Sequence, residues 1–289
     1  MATATLGMIG LGRMGRPMAE RLVAAGHRVV GYDRAGTAER LPAGATAAAS
    51  AVEVAATAEV VFLSLPDGTA SRTVCAEIAA APARRAHTVV DLSTIGPTAA
   101  RACAETLAAA RVRYVDAPVS GGVRGAEQGT LTVMVGAPAE LFAAVEPWLA
   151  VLGRHRVRVG DAPGQGQAMK LLNNYLSALA LAATSEAVAF GARHGLDPAL
   201  VIDVLNVSTG RTSASADKFP RCVLPRTYDY GFAGALMAKD IALYHEAAEA
   251  VGAPRELATP LHQLWQRFRA AHPDADCTYI AAYIAESAP

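Results

Sequence analysis

Leu6-Gly7-Met8-Ile9-Gly10-Leu11-Gly12-Arg13-Met14-Gly15 decides the fold: an apolar run breaks into Gly10, Gly12 and Gly15, spaced G-x-G-x-x-G. Leu6 to Leu11 reads as a short buried strand, and Met18 to Ala25 carries apolar residues at helical spacing. Gly26 stops that helix and Arg28 to Tyr32 begins a second strand, so the whole is a strand-helix-strand unit. Glycines at the first turn of such a unit let the backbone approach a pyrophosphate and aim a helix N-terminus at its charge. Gly10, Leu11, Gly12, Met14 and Gly15 are therefore the candidate cofactor cradle. Asp33, at the end of the second strand, is placed to accept hydrogen bonds from an adenosine ribose, which favours NAD. Arg34 beside it could hold a 2′-phosphate or stack on adenine, which keeps NADP open.

Further parallel strands are expected at Val60 to Leu65, Thr88 to Leu92 and Arg113 to Asp116, with Ala-rich helical stretches between the first three. In an open α/β sheet the ligand lies outside the carboxyl ends of the strands, so Leu65, Pro66 and Asp67 and then Ser93 and Thr94 are expected to line the crevice. For each of these an ordinary loop or helix N-cap is the competing reading. After the last strand, Ser120-Gly121-Gly122 combines a hydroxyl with unobstructed backbone N–H groups, an arrangement suited to a substrate carboxylate. Read in isolation it is a flexible turn. Arg124 follows, as a cation for a second acidic group or as an exposed loop residue.

The second half is helical. Gln167 to about His194 forms one long Ala- and Leu-rich pattern, apolar on most sides, which suits a domain spine or a subunit interface. Lys170, Asn174 and Ser177 share a stripe of it. An amine among Ala, Met and Leu is desolvated, which favours its neutral form and makes it a proton carrier; snorkelling to water is the alternative. Asp197 and Pro198 restart a helix through Val207, with further helices at Ala235 to Val251 and Leu257 to Ala270. Ser208 to Ser215 and Pro220 to Tyr230 read as turns, and no strand pattern returns.

Composition narrows the function. Twenty-six Lys and Arg balance twenty-six Asp and Glu in 289 residues, so no net field draws nucleic acid or an anionic membrane; a small acidic substrate needs only a local positive pocket. The four cysteines are scattered and no histidines pair at ligand spacing, which argues against a metal site. The start lacks a signal-peptide pattern and no stretch reads as a membrane span, so a cytoplasmic enzyme with free thiols is expected.

Four motifs in order carry a resemblance over essentially the whole length: Gly10-Leu11-Gly12-Arg13-Met14-Gly15, Asp116-Ala117-Pro118-Val119-Ser120-Gly121-Gly122, Gly164-Gln165-Gly166 leading to Lys170 and Asn174, and Lys239-Asp240. Together they resemble the β-hydroxyacid dehydrogenase family, of the 3-hydroxyisobutyrate dehydrogenase and tartronate semialdehyde reductase type. The expected architecture is a Rossmann-type α/β domain with a mainly parallel sheet over 1–163 and an all-α domain over 164–289, begun by a long interdomain helix, with the site in the cleft between them and a homodimer or homotetramer as the assembly. The resemblance implies that Lys170 is the acid/base and Asn174 orients the substrate. It also implies that Ser120, Gly121 and Gly122 hold the carboxylate, and that Thr94, Lys239 and Phe232 stand at the cofactor. It leaves the hydroxy acid open. An imine reductase of the same fold and a silent NAD(P)-binding scaffold are the competing functions; Lys170 and the Ser-Gly-Gly turn speak against the first, Lys170 and Asn174 against the second.

Overall fold

The apolar run is strand β1, Thr5–Ile9, in the computed structural model, which describes residues 4–287. Contacts divide the chain into two compact units that meet at Lys170 and Leu171.

The first unit is a nine-stranded sheet with helices on both faces. After β1 come α1 (Gly15–Ala24), β2 (Arg28–Tyr32), β3 (Thr46–Ala47), α2 (Ala51–Thr57), β4 (Val60–Leu63), α3 (Gly68–Ala80), β5 (Thr88–Asp91), α4 (Pro97–Ala109) and β6 (Arg113–Asp116). These strands run parallel in the order β3-β2-β1-β4-β5-β6. The order reverses direction at β1, so the ends of β1 and β4 flank a topological switch point, where open α/β sheets bind ligands. Side chains alternate between two cores because the strand period is two. Leu6, Met8, Phe62 and Val90 pack with α1, while Ile9, Val61, Leu63 and Val89 pack with α2, α3 and α4. Each fully buried large side chain of this kind contributes about 1.5–3 kcal/mol.

Beyond β6 the chain adds β7 (Val119–Ser120), α5 (Gly122–Gln128), β8 (Thr132–Gly136), α6 (Ala139–Leu152) and β9 (His155–Gly160). β8 runs antiparallel to β6 and β7, and β9 pairs with it in parallel. Neither β8, α6 nor β9 stood out in the sequence. β9 has no buried residue, and its alternation of Arg with Val runs over only four positions, a short period-2 signal.

The long helix α7 spans Gln165–Arg193, so Gln165 and Gly166 already belong to it. The second unit continues with α8 (Pro198–Val207), the π-helix Ala214–Val223, α9 (Gly234–Ala250), α10 (Ala258–Ala271) and, after a 3₁₀ turn, α11 (Ile280–Ser287). Asp197 caps α8 by accepting from the amides of Ala199 and Leu200. The π-helix falls where turns were expected. Pro220 stands inside it and Leu224 donates to the Phe219 carbonyl five residues back, so an α-helical period is absent from the sequence there. The core of this unit is Ala178, Leu181, Ile202, Phe219, Trp265 and Phe268.

One expectation needs correction. α7 reaches the length and hydropathy of a membrane-crossing helix, contrary to the reading that no stretch does. Length and composition are weak grounds, because Ala178, Leu181 and Ala182 of the same helix are part of a packed core.

Candidate active site

Two of the three loop glycines are demanded by the protein itself. Gly10 has φ +91° and a Cβ there would stand 2.2 Å from the Ser64 carbonyl oxygen; a Cβ on Gly15 would stand 1.8 Å from the Gly10 carbonyl oxygen. Gly12 is different: a Cβ there meets no described atom within 4 Å. A glycine that the chain does not need sterically fits close approach by a ligand. The N-terminus of α1 carries no side-chain cap and no acidic residue in its first turn, which leaves its dipole to an anion. A hollow of about 540 Å³ beside it is lined by Leu11, Gly12, Arg13, Arg16 and Arg40 among others. These residues fit a dinucleotide diphosphate.

Asp33 is turned into this loop. Its Oδ2 accepts from the Leu11 amide at 2.7 Å, its Oδ1 from the Ala35 amide at 2.8 Å, and Arg40 stands 3.5 Å from Oδ1. The carboxylate therefore braces the glycine turn, a duty the sequence did not suggest. Arg34 is exposed.

At the ends of β4 and β5, the Ser93 hydroxyl accepts from the Leu65 amide at 2.8 Å, while Asp67 caps α3. Pro66 is exposed and Thr94 half-buried. Behind them lies a hub. Asp116 Oδ2 accepts from the amides of Gly164 (2.8 Å) and Gln167 (3.1 Å), and Oδ1 from the Gln167 side-chain amide at 2.7 Å. Gln167 also donates to the Ser93 carbonyl and accepts from the amides of Ile95 and Gly96. One carboxylate and one amide thus tie the end of β6, the loop after β5 and the first turn of α7 together. Burial pushes the Asp116 carboxyl up to about 6, against the hydrogen bonds from Gln167 and Gly164, which favour the anion.

Lys170 stands one turn past Gln167 and keeps 7% of its surface exposed, so it does not snorkel into water. Ser120 is half-buried; Gly121 and Gly122 are exposed with φ +132° and +63°, a conformation that favours glycine. No Cβ contact constrains Gly122, so its surroundings are open.

In the second unit, Asn174 donates to Asp240 Oδ2 at 2.6 Å, and Asp240 Oδ1 meets the Lys239 ammonium at 3.2 Å. Asp240 is 2% exposed, so Lys239-Asp240 is not the solvated pair that adjacent charges suggest. The sequence singled out Lys239-Asp240 as a motif without suggesting that Asp240 orients Asn174, and it gave no sign of the bracing role of Asp116 and Gln167. Phe232 is half-buried, its amide donating to Asp276 Oδ2 at 3.0 Å. Arg124 is exposed.

Comparison with known proteins agrees with this geometry. The NAD-binding domain of 6-phosphogluconate dehydrogenase matches residues 5–160, and the NAD-binding domain of NADP-dependent 3-hydroxyisobutyrate dehydrogenase matches 164–284. The chain is 38% identical to 3-hydroxyisobutyrate dehydrogenase of Pseudomonas aeruginosa, over 95% of this chain and 94% of that one. It is 36% identical to 2-(hydroxymethyl)glutarate dehydrogenase of Eubacterium barkeri, over 92% and 89%. Among solved structures, Mycobacterium tuberculosis 3-hydroxyisobutyrate dehydrogenase with L-serine superposes with a TM-score of 0.89 at 33% identity, covering 98% of this chain and 99% of that one. An imine reductase from Streptomyces aurantiacus, 22% identical over 96% and 99% with a TM-score of 0.64, shares the fold alone.

A glycine turn at the switch point of a parallel sheet, followed by a helical unit, defines an oxidoreductase that works with NAD(P). The chain belongs to the β-hydroxyacid dehydrogenase family.

Proposed function

We propose that this protein oxidises a small β-hydroxy acid to its semialdehyde, or runs the reverse reduction, with Lys170 as acid/base. The observation that carries the reading is a lysine buried to 7% exposure one turn beyond a residue locked by the Asp116 hub. In oxidation the neutral amine of Lys170 takes the hydroxyl proton, and in reduction its ammonium returns that proton to the carbonyl oxygen. Asn174, oriented by Asp240, positions the reacting oxygen. Ser120, Gly121 and Gly122 take the carboxylate through the hydroxyl and the open backbone. When bound, the nicotinamide supplies the hydride acceptor. Gly10, Leu11, Gly12, Met14 and Gly15 hold its diphosphate, Leu65, Pro66 and Thr94 lie at the strand ends beside it, and Phe232 and Lys239 complete the cofactor set. Asp33, with Arg34 next to it, gives a preference for NAD over NADP, because a carboxylate repels a 2′-phosphate.

Self-association is supported by exposed apolar side chains in the second unit: Leu172, Leu176 and Phe190 on α7, and Leu200, Val204 and Val207 on α8. Four buried free cysteines suit a reducing, cytoplasmic setting.

The test is a panel of 3-hydroxyisobutyrate, 2-(hydroxymethyl)glutarate, glycerate and 4-hydroxybutyrate with NAD⁺ and NADP⁺, run on the wild type and Lys170→Ala. We expect turnover of at least one acid with a higher kcat/KM for NAD⁺, and a loss of about 1000-fold or more in kcat for the variant with cofactor affinity kept. Near-normal turnover by Lys170→Ala sinks the acid/base assignment. Failure of every acid sinks the reaction class, and a preference for NADP⁺ sinks the role given to Asp33.

A further inference from the structure

Lys218 has the makings of an anion site. It lies on the π-helix and is 5% exposed, yet among the described residues no carboxylate comes within ion-pair distance of it. Its ammonium donates to the Ser177 hydroxyl at 3.1 Å and stands 5.1 Å from the centroid of the Tyr230 ring. The adjacent carboxylate is committed elsewhere: Asp217 accepts from Arg221 at 2.9 Å and from the Tyr230 hydroxyl at 2.9 Å. A cation placed out of water with one neutral hydroxyl and one aromatic face has lost its hydration without gaining a direct ion pair, because Asp217 acts on it only at longer range while bonded to Arg221 and Tyr230. Burial accordingly pulls the Lys218 ammonium down from its ordinary range. A structural lysine in that position is costly to keep, and an arriving carboxylate would restore what it lacks.

The location says which carboxylate. Ser177, which holds the ammonium, is on the same helix as Asn174 and one turn beyond it, about 4.5 Å further along the axis. Asn174 is itself one turn beyond Lys170, so the three polar residues follow one another on a single stripe. The stripe ends at a buried cation. Resting on the assignment of Lys170 and Asn174 to the reacting oxygen, we propose that Lys218 is a specificity residue that binds a second carboxylate on the substrate. The preferred substrate is then a β-hydroxy acid bearing a second carboxylate on a short alkyl arm. The exposed Arg124, which the sequence offered for this role, lacks the desolvation that makes a charge pair selective.

A matched pair of acids tests it, because 2-(hydroxymethyl)glutarate is 3-hydroxyisobutyrate with its methyl extended by a CH₂COO⁻ group. In the wild type the kcat/KM ratio of diacid to monoacid should exceed about tenfold, fall by about 30-fold in Lys218→Met and stay within about threefold in Lys218→Arg. A wild-type ratio at or below one, or an unchanged ratio in Lys218→Met, overturns the proposal. A second measurement needs neither turnover nor a folded variant: calorimetric binding of glutarate and butyrate to the wild type with NAD⁺. Glutarate binding about tenfold tighter or more supports the site, and equal affinity overturns it. Absence of turnover on both acids alongside glutarate selectivity would locate the error in the reaction class and leave the anion site standing.

Discussion

The two polar centres of this molecule are built by opposite means. In the first unit the glycine turn and the hub are held mainly through backbone: Asp33 accepts from the amides of Leu11 and Ala35, and Asp116 from those of Gly164 and Gln167, with the Gln167 side chain as a further donor to Asp116. In the second unit, Asn174, Asp240 and Lys239 are joined side chain to side chain, as are Lys218 and Ser177. A carboxylate that braces backbone fixes where the chain goes; one that braces a side chain fixes which way a functional group points. Substitutions of the backbone-bracing carboxylates Asp33 and Asp116 should therefore register mainly as stability or cofactor affinity, and those of Asp240 as rate.

The largest effect that would break this contrast concerns Asp116. Its carboxyl is raised by burial from 3.8 to about 6 in the folded protein. Below pH 3.8 it is protonated in both states, and its contribution to stability is fully present. Between there and about 6 the unfolded chain releases the proton while the folded chain retains it, so stability is lost as pH rises, by about 3 kcal/mol in all. Asp116→Asn cannot titrate, and its amide turns an N–H toward a donor, at a cost of about 1–3 kcal/mol. The wild type should be the more stable protein at pH 4, with the gap shrinking by about 2 kcal/mol by pH 7 in urea unfolding. A gap that stays constant across that window would show that the carboxyl titrates no differently folded and unfolded.

Next in size is Asp240→Ala. It removes the acceptor from the buried Asn174 amide and the counter-charge from Lys239, at a cost of about 2–3 kcal/mol in transition-state stabilisation, or about 30- to 100-fold in kcat. Asp240→Asn keeps one acceptor for Asn174 and should recover part of the rate. If both variants lower stability and leave kcat alone, the second unit is built like the first and the contrast fails.

The same contrast explains what could be seen without a structure. Backbone-held sites need special residues at fixed spacings, so Gly10, Gly12 and Gly15 announced the cradle, and Asp197-Pro198 announced a helix start. Lys170 and Asn174 were visible because polar residues interrupt an apolar helix. Asp240 was visible only as half of the Lys239-Asp240 motif; its bond to Asn174 was not, since the two are 66 residues apart and only the fold brings them together. Lys218 was hidden on a π-helix whose spacing matches no common period, so nothing marked it as buried. β9 escaped because its alternation of Arg156 and Arg158 with Val157 and Val159 is short and none of its residues is buried.

The smallest effect sharpens the comparison within the glycine turn itself. Gly12 has no positive φ and its added Cβ meets nothing within 4 Å, so Gly12→Ala should change unfolding stability by less than about 1 kcal/mol. If Gly12 takes the diphosphate as proposed, its added Cβ hinders that approach to the backbone, and cofactor Kd should rise about tenfold, worth about 1.4 kcal/mol. Gly15→Ala is the counterpart: its Cβ would stand 1.8 Å from the Gly10 carbonyl oxygen, and the variant should fail to fold or lose several kcal/mol. Three glycines in one motif thus divide into two that the chain needs sterically and one that it does not. Equal loss of cofactor affinity and stability in Gly12→Ala would erase that division and make the whole turn a purely structural element.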